Sequence, residues 1–105
     1  MAWIYLFVAG LLEIAWAIGM KQSEGFTRLG PSVFTLGTIG ASLFLLSLAL
    51  RGIPIGTAYA VWAGIGTVGT AVAGIVFFSE STDLLRLAAI ALIAVGIVGL
   101  KLVTP

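Results

Sequence analysis

The sequence has no cysteine and no histidine, and only 9% of its 105 residues are charged. Without cysteine there are no disulfides and no thiolate chemistry, and losing histidine too removes most transition-metal sites. No nucleophile–base pair, phosphate loop or metal cluster stands in the sequence, so no enzyme active site, cofactor or metal is expected. The formal net charge is +1 with no run of Lys or Arg, which argues against nucleic acid and against a polybasic lipid-surface role. What is present is apolar: hydrophobic residues make up 61% of the chain, against roughly 45–50% in soluble proteins. The expectation is one integral membrane domain over residues 1–105 with no separate soluble part. Its opening apolar run has no charged stretch ahead of it and no small-residue cleavage site, and reads as a retained helix, not a signal peptide.

A spanning helix needs about 20 mostly apolar residues. Four runs answer to that, at about 3–20, 32–50, 56–78 and 84–103, so the fold class is all-α with four transmembrane helices. Lys21 ends the first, and a loop over 22–30 follows, closed by Gly30-Pro31. Glu24 and Arg28 in that loop are four apart and suit an ion pair of little energetic value. Arg51-Gly52-Ile53-Pro54 makes a tight turn, since Pro resists helix continuation through the residues before it. Residues 79–83 form the last turn, with Thr82 or Asp83 placed as an N-cap. The final uncharged run, 87–100, is short and reaches spanning length when Arg86 and Lys101 snorkel outward. Trp3 and Tyr5 suit an interfacial aromatic belt.

Glu13 is the only acid inside any of these runs. An ionisable group at mid-depth in a bilayer costs roughly 2.5–3.5 kcal/mol on insertion scales, so its default meaning is a transport or proton site. Helical spacing sets Gly10, Glu13 and Trp16 on one face of the first span, and Tyr59, Trp62 and Gly66 on one face of the third. Thr35, Thr38 and Ser42 line one side of the second. Converging, these faces would make a cation site: a carboxylate for charge, and rings for cation–π attraction of about 0.5–2 kcal/mol each. Hydroxyls and the Tyr59 OH would orient the carboxylate. Plainer roles stay open: Glu13 as a buried structural hydrogen-bonder, the Trp residues as packing, and the Ser and Thr hydroxyls bonded to their own helix carbonyls.

Four helices alone have little interior, so an oligomer is expected to complete the site. Gly64, Gly66, Gly69, Ala73 and Gly74 give the third span a ridge of small residues, and Ala89, Gly96 and Gly99 do so in the fourth. An antiparallel pair would recreate from two copies the inverted repeats of larger transporters.

The run Leu11-Leu12-Glu13-Ile14-Ala15-Trp16, the loop Ser23-Glu24-Gly25-Phe26-Thr27-Arg28-Leu29 and the segment Pro54-Ile55-Gly56-Thr57-Ala58-Tyr59-Ala60-Val61-Trp62 together resemble the small multidrug resistance family of bacterial exporters. The resemblance covers essentially the whole chain. It implies a dual-topology, antiparallel homodimer in the bacterial inner membrane that exchanges protons for cations, with Glu13 binding both. Trp16, Gly64-Ile65-Gly66 with Gly69, and Gly99-Leu100-Lys101 resemble the guanidinium exporter branch, which implies substrate-binding roles for Gly10, Trp16, Ser42, Tyr59 and Trp62. Ala63, where a hydroxyl residue is usual, and Ser23-Glu24-Gly25, which is closer to the quaternary-ammonium branch, depart from that pattern. Guanidinium fits such a site chemically, because its forked N–H donors match a carboxylate bidentately. The competing functions are a quaternary-ammonium drug/proton antiporter, a non-transporting structural or regulatory subunit, and a passive cation pore.

Four spans put Arg51 and Lys101 on one side and Lys21, Arg28 and Arg86 on the other. A bias of one charge gives the positive-inside rule almost nothing to act on. Reporter fusions at each terminus are therefore expected to read both orientations in comparable amounts. A single fixed orientation would overturn the expectation of dual topology.

Overall fold

In lipid every backbone N–H and C=O has to find a partner within the protein, which turns each apolar run into a helix. The computed structural model describes residues 1–104, and in it the runs become α1 (Ala2–Gln22), α2 (Leu29–Ala49), α3 (Ile55–Phe78) and α4 (Leu84–Val103). All four are long and apolar enough to cross a membrane. With 20 to 24 residues each, they run about 30–36 Å at ~1.5 Å per residue, which matches a hydrocarbon core about 30 Å thick.

The ends show how local chemistry shapes the loops. After α1, the buried Ser23 hydroxyl donates to the Met20 carbonyl at 2.7 Å and accepts the Phe26 N–H at 3.1 Å. Glu24, Gly25 and Phe26 then take positive φ values of 51°, 75° and 65°. That left-handed run removes Glu24 from the helical spacing that joins positions four apart. The expected Glu24–Arg28 pair is not made. Arg28 Nη1 donates instead to the Gln22 carbonyl at 3.4 Å.

Helix α2 begins at Leu29, earlier than the expected residue 32, and takes Pro31 into its first turn. Proline is tolerated there because a first-turn N–H has no helical partner to lose. Pro54 occupies the N-cap position of α3, and Ser79 closes that helix with φ 53°, in the left-handed region. Asp83 is the N-cap residue of α4 but makes no side-chain cap bond. Its backbone N–H donates to Ser81 Oγ at 3.1 Å instead. Lys101 does more than snorkel: its Nζ lies 4.7 Å from the centre of the Trp3 ring, joining the end of α4 to the start of α1.

Helix α1 is central, packed against both α2 and α3, while the α4 backbone lies beside α3 alone. No residue of α4 is buried among those described. The Cα atoms span 42 × 35 × 16 Å, a thin slab. The buried core gathers Leu6 and Ala9 of α1, Leu46 and Ala49 of α2, and Ala58, Val61 and Trp62 of α3.

Glycines let α1 and α3 approach closely. A Cβ at Gly10 would fall 2.7 Å from Ile65 Cγ2 and 2.8 Å from Ile65 Cβ. One at Gly69 would overlap Ile14 Cδ1. Because Ile65 Cβ is fixed to its backbone, it cannot swing aside as a side-chain tip would. Gly10→Ala is therefore expected to destabilise the fold by about 1–3 kcal/mol, the usual cost of overpacking. Gly37→Ala, which meets nothing within 4 Å, is expected to be neutral. Denaturation midpoints in detergent compare the two.

Candidate functional site

Glu13 comes from the middle of α1 and points at α3, where its carboxyl group lies against Gly66. A Cβ at position 66 would collide with the carboxyl carbon and both oxygens, so a bare backbone is the condition for Glu13 to fit. The flanking contacts of Gly10 with Ile65 and Ile14 with Gly69 set the register. Successive spacings of three and one residues on α1 thus meet spacings of one and three on α3.

Within this seat Glu13 Oε2 is buried and has no hydrogen-bond partner among the described residues. Trp16 Nε1, on the next turn of α1, is in the same condition. A buried acceptor and a buried donor are each left unmade at a cost of about 1–3 kcal/mol. Folded proteins pair nearly all such groups, and the exceptions call for an explanation. Among the described residues, nothing in the chain pairs with this oxygen of Glu13.

One turn before Gly66 on α3, Trp62 is 9% exposed, and its Nε1 donates to Ser42 Oγ at 3.0 Å. Ser42 in turn donates to the Ala9 carbonyl at 2.7 Å. This chain crosses from α3 through α2 to α1 and fixes the indole plane. Tyr59 stacks on Trp62 with ring centres 5.6 Å apart and planes tilted by 55°. Its side is open, with 60% of the residue exposed.

Some expectations change in this arrangement. The hydroxyls do not orient the Glu13 carboxylate. Ser42 is committed to Ala9, Thr35 Oγ1 donates to the Pro31 carbonyl at 2.7 Å, and Thr38 Oγ1 donates to the Phe34 carbonyl at 2.8 Å. Ser42 acts on Trp62, and Gly10 holds the α1–α3 spacing. The acceptor role of the Ala9 carbonyl had no sequence signal, since any residue carries that group. The specific fit of Gly66 to Glu13 was visible only as one glycine among several in α3.

The arrangement can hold a small cation chemically. It offers a carboxyl group with an unpaired buried oxygen against Gly66 and, one turn away on α3, a fixed indole with a second ring packed on it. Guanidinium, a planar donor with no acceptors, is complementary to the unpaired Oε2.

The sequence matches the family described as Small Multidrug Resistance protein over residues 1–93. It is 57% identical over 102 residues to the guanidinium exporter of Proteus vulgaris, covering 97% of this chain and 98% of that one. It is 59% identical to the guanidinium exporter of Yersinia pestis with the same coverage. It is 55% identical over 104 residues to that of Escherichia coli strain K12, covering 99% of each chain. With four membrane-length helices and alignment along nearly its whole length, the chain belongs to the small multidrug resistance family and is a multi-pass protein of the bacterial inner membrane.

Proposed function

We propose that this protein exports guanidinium or guanidinyl compounds in exchange for protons, and that it acts as a transporter, not an enzyme. The observation that carries the reading is the buried, unpartnered oxygen of Glu13 held against Gly66. The names of the relatives as guanidinium exporters support the choice of substrate.

In this reading two copies assemble antiparallel as a homodimer. The thin slab, the unburied α4 and the exposed Tyr59 ring support it, since a second copy would cover all three. Two Glu13 carboxylates then face a shared cavity near mid-membrane, and protons and guanidinium compete for them. Proton binding on the outer side releases the cation, and proton loss on the inner side restores the site. Exchange of the two subunits' conformations switches access, so that one side is open at a time.

Each site residue has a physical task. Glu13 supplies charge and paired acceptors. Trp62, held by Ser42, and Tyr59 supply aromatic faces. Trp16 narrows the space beside the carboxylate, and its unpaired N–H is available to an acceptor from the second copy. Gly10 keeps α1 close enough to α3 for Glu13 to reach its place. A site built on such hydrogen bonds rejects quaternary ammonium ions, which bring no donors.

Guanidinium flux into proteoliposomes under an imposed proton gradient tests this directly. Glu13→Gln is expected to abolish coupled flux, by at least about a hundredfold given the loss of a buried charge-assisted contact, while the protein still elutes as a folded dimer. Retained proton-driven flux in that variant would overturn the mechanism. Trp16→Gly is expected to admit bulkier cations such as tetraalkylammonium ions, read as new competition against guanidinium flux. An unchanged competitor profile would show that Trp16 does not set the size limit.

A further inference from the structure

One cluster outside the Glu13 site repeats its construction. At the far end of α3, the Glu80 carboxyl group lies against Gly74 so closely that a Cβ there would collide with it. This is the device that seats Glu13 on Gly66, repeated eight residues on, or about 12 Å along the helix at ~1.5 Å per residue. The backbone folds to allow it: Ser79 takes the left-handed conformation, and the Glu80 N–H donates to the Gly74 carbonyl at 3.1 Å. Between the two glycines lies a cavity of about 300 Å³, bounded by α1, α3 and the α3–α4 turn. Its walls include Ala17 and Lys21, which follow Glu13 at four-residue spacing on α1, and Thr70, midway between Gly66 and Gly74. The cavity therefore continues the Glu13 side of the α1–α3 groove toward the membrane surface.

What holds Glu80 is a guanidinium group. Arg86 Nη2 donates to Glu80 Oε1 at 2.8 Å, and Arg86 Nη1 donates to the Ser81 carbonyl. A carboxylate and a carbonyl thus bind the forked donors of a planar cation, on the wall of a cavity with room for a free one. Neither partner is locked in: the Arg86 and Glu80 side chains keep 32% and 40% of their exposure.

We infer that Glu80 and the Ser81 carbonyl form a peripheral guanidinium station at the membrane-surface end of the route to Glu13, and that Arg86 is its tethered competitor. The inference rests on the proposed guanidinium transport. An arriving guanidinium takes the place of the Arg86 fork on Glu80, and Arg86 swings toward water. Leaving reverses the exchange, with no net charge created on the carboxylate at any point. Two further features keep the station weak enough to release its cargo toward Glu13. Arg86 stays within reach to reclaim Glu80, and the Lys21 ammonium, 4.7 Å from the Phe78 ring centre, adds positive charge to the same cavity. A permeation path needs sites that bind enough to admit an ion but not enough to keep it.

The test is the KM for guanidinium in proteoliposomes, because a loss of folded protein lowers kcat and leaves KM unchanged. Glu80→Gln removes the station and is expected to raise KM about two- to fivefold, the range for a partly exposed charge contact. Arg86→Ala removes the competitor and is expected to lower KM by a similar factor. The double variant should follow Glu80→Gln, and Arg86→Lys, which keeps charge without the fork, should fall between wild type and Arg86→Ala. If the pair merely clasps the turn, both single variants loosen the same structure and shift KM in the same direction. That result, or no shift in either, would overturn the station while leaving the Glu13 site intact. Absence of guanidinium flux in the wild type would instead overturn the proposed function and this inference with it.

Discussion

The close approach of α1 to α3 is the constraint on which the site depends. Gly10 yields to Ile65, Gly66 yields to Glu13 and Gly69 yields to Ile14, so three successive contacts have a side chain on one helix and bare backbone on the other. Small residues serve in membranes because lipid tails compete equally for apolar side chains, leaving close packing as the main source of helix association. Here the same contacts bring an acid into contact with backbone from a second helix. Widen the spacing and the carboxylate is released toward lipid or water, where it would no longer select a ligand. Stability and chemistry therefore share the same atoms.

The polar interior is divided into two parts with different tasks. The chain from Trp62 through Ser42 to Ala9 is fully satisfied, and satisfied networks make rigid positions. Glu13 Oε2 and Trp16 Nε1 are left without partners nearby. The ordered indole lies one turn from the glycine that seats Glu13, so the satisfied and the unsatisfied groups occupy the same pair of helices. The cost is borne by the fold, whose buried apolar core is small.

The slab shape bears on the reach of a single chain. At 16 Å deep it leaves Tyr59 60% exposed and buries no described residue of α4. A transport pathway needs walls on all sides, and this geometry gives walls on some. The proposed antiparallel partner addresses the deficit, and the weak charge bias between the two sides of the chain is compatible with both orientations being made.

Composition and spacing determined the class of this protein. Apolar runs of membrane length leave the backbone no choice but helix, so four spanning helices were legible, as was the exceptional standing of Glu13 in the first. The motif around Glu13, Tyr59 and Trp62 was enough to point to the family. Tertiary structure decided which groups meet. Ser42 was readable as a face residue, but hydrogen bonding to Ala9 rather than to Glu13 depends on how α2 is rotated against α1, and spacing does not specify that rotation. Gly66 was one of several glycines in α3, and only the register between two helices made it the seat of Glu13. Glu24 and Arg28 looked paired because they are four apart, yet three left-handed residues broke the helical spacing. Glu80 and Arg86, six apart across a turn, had no such spacing and do pair, because backbone conformation at Ser79 folds one back toward the other. Periodicity fixes which residues share a face of one helix; contacts between helices and through turns depend on rotations and φ angles that emerge only when the whole chain packs.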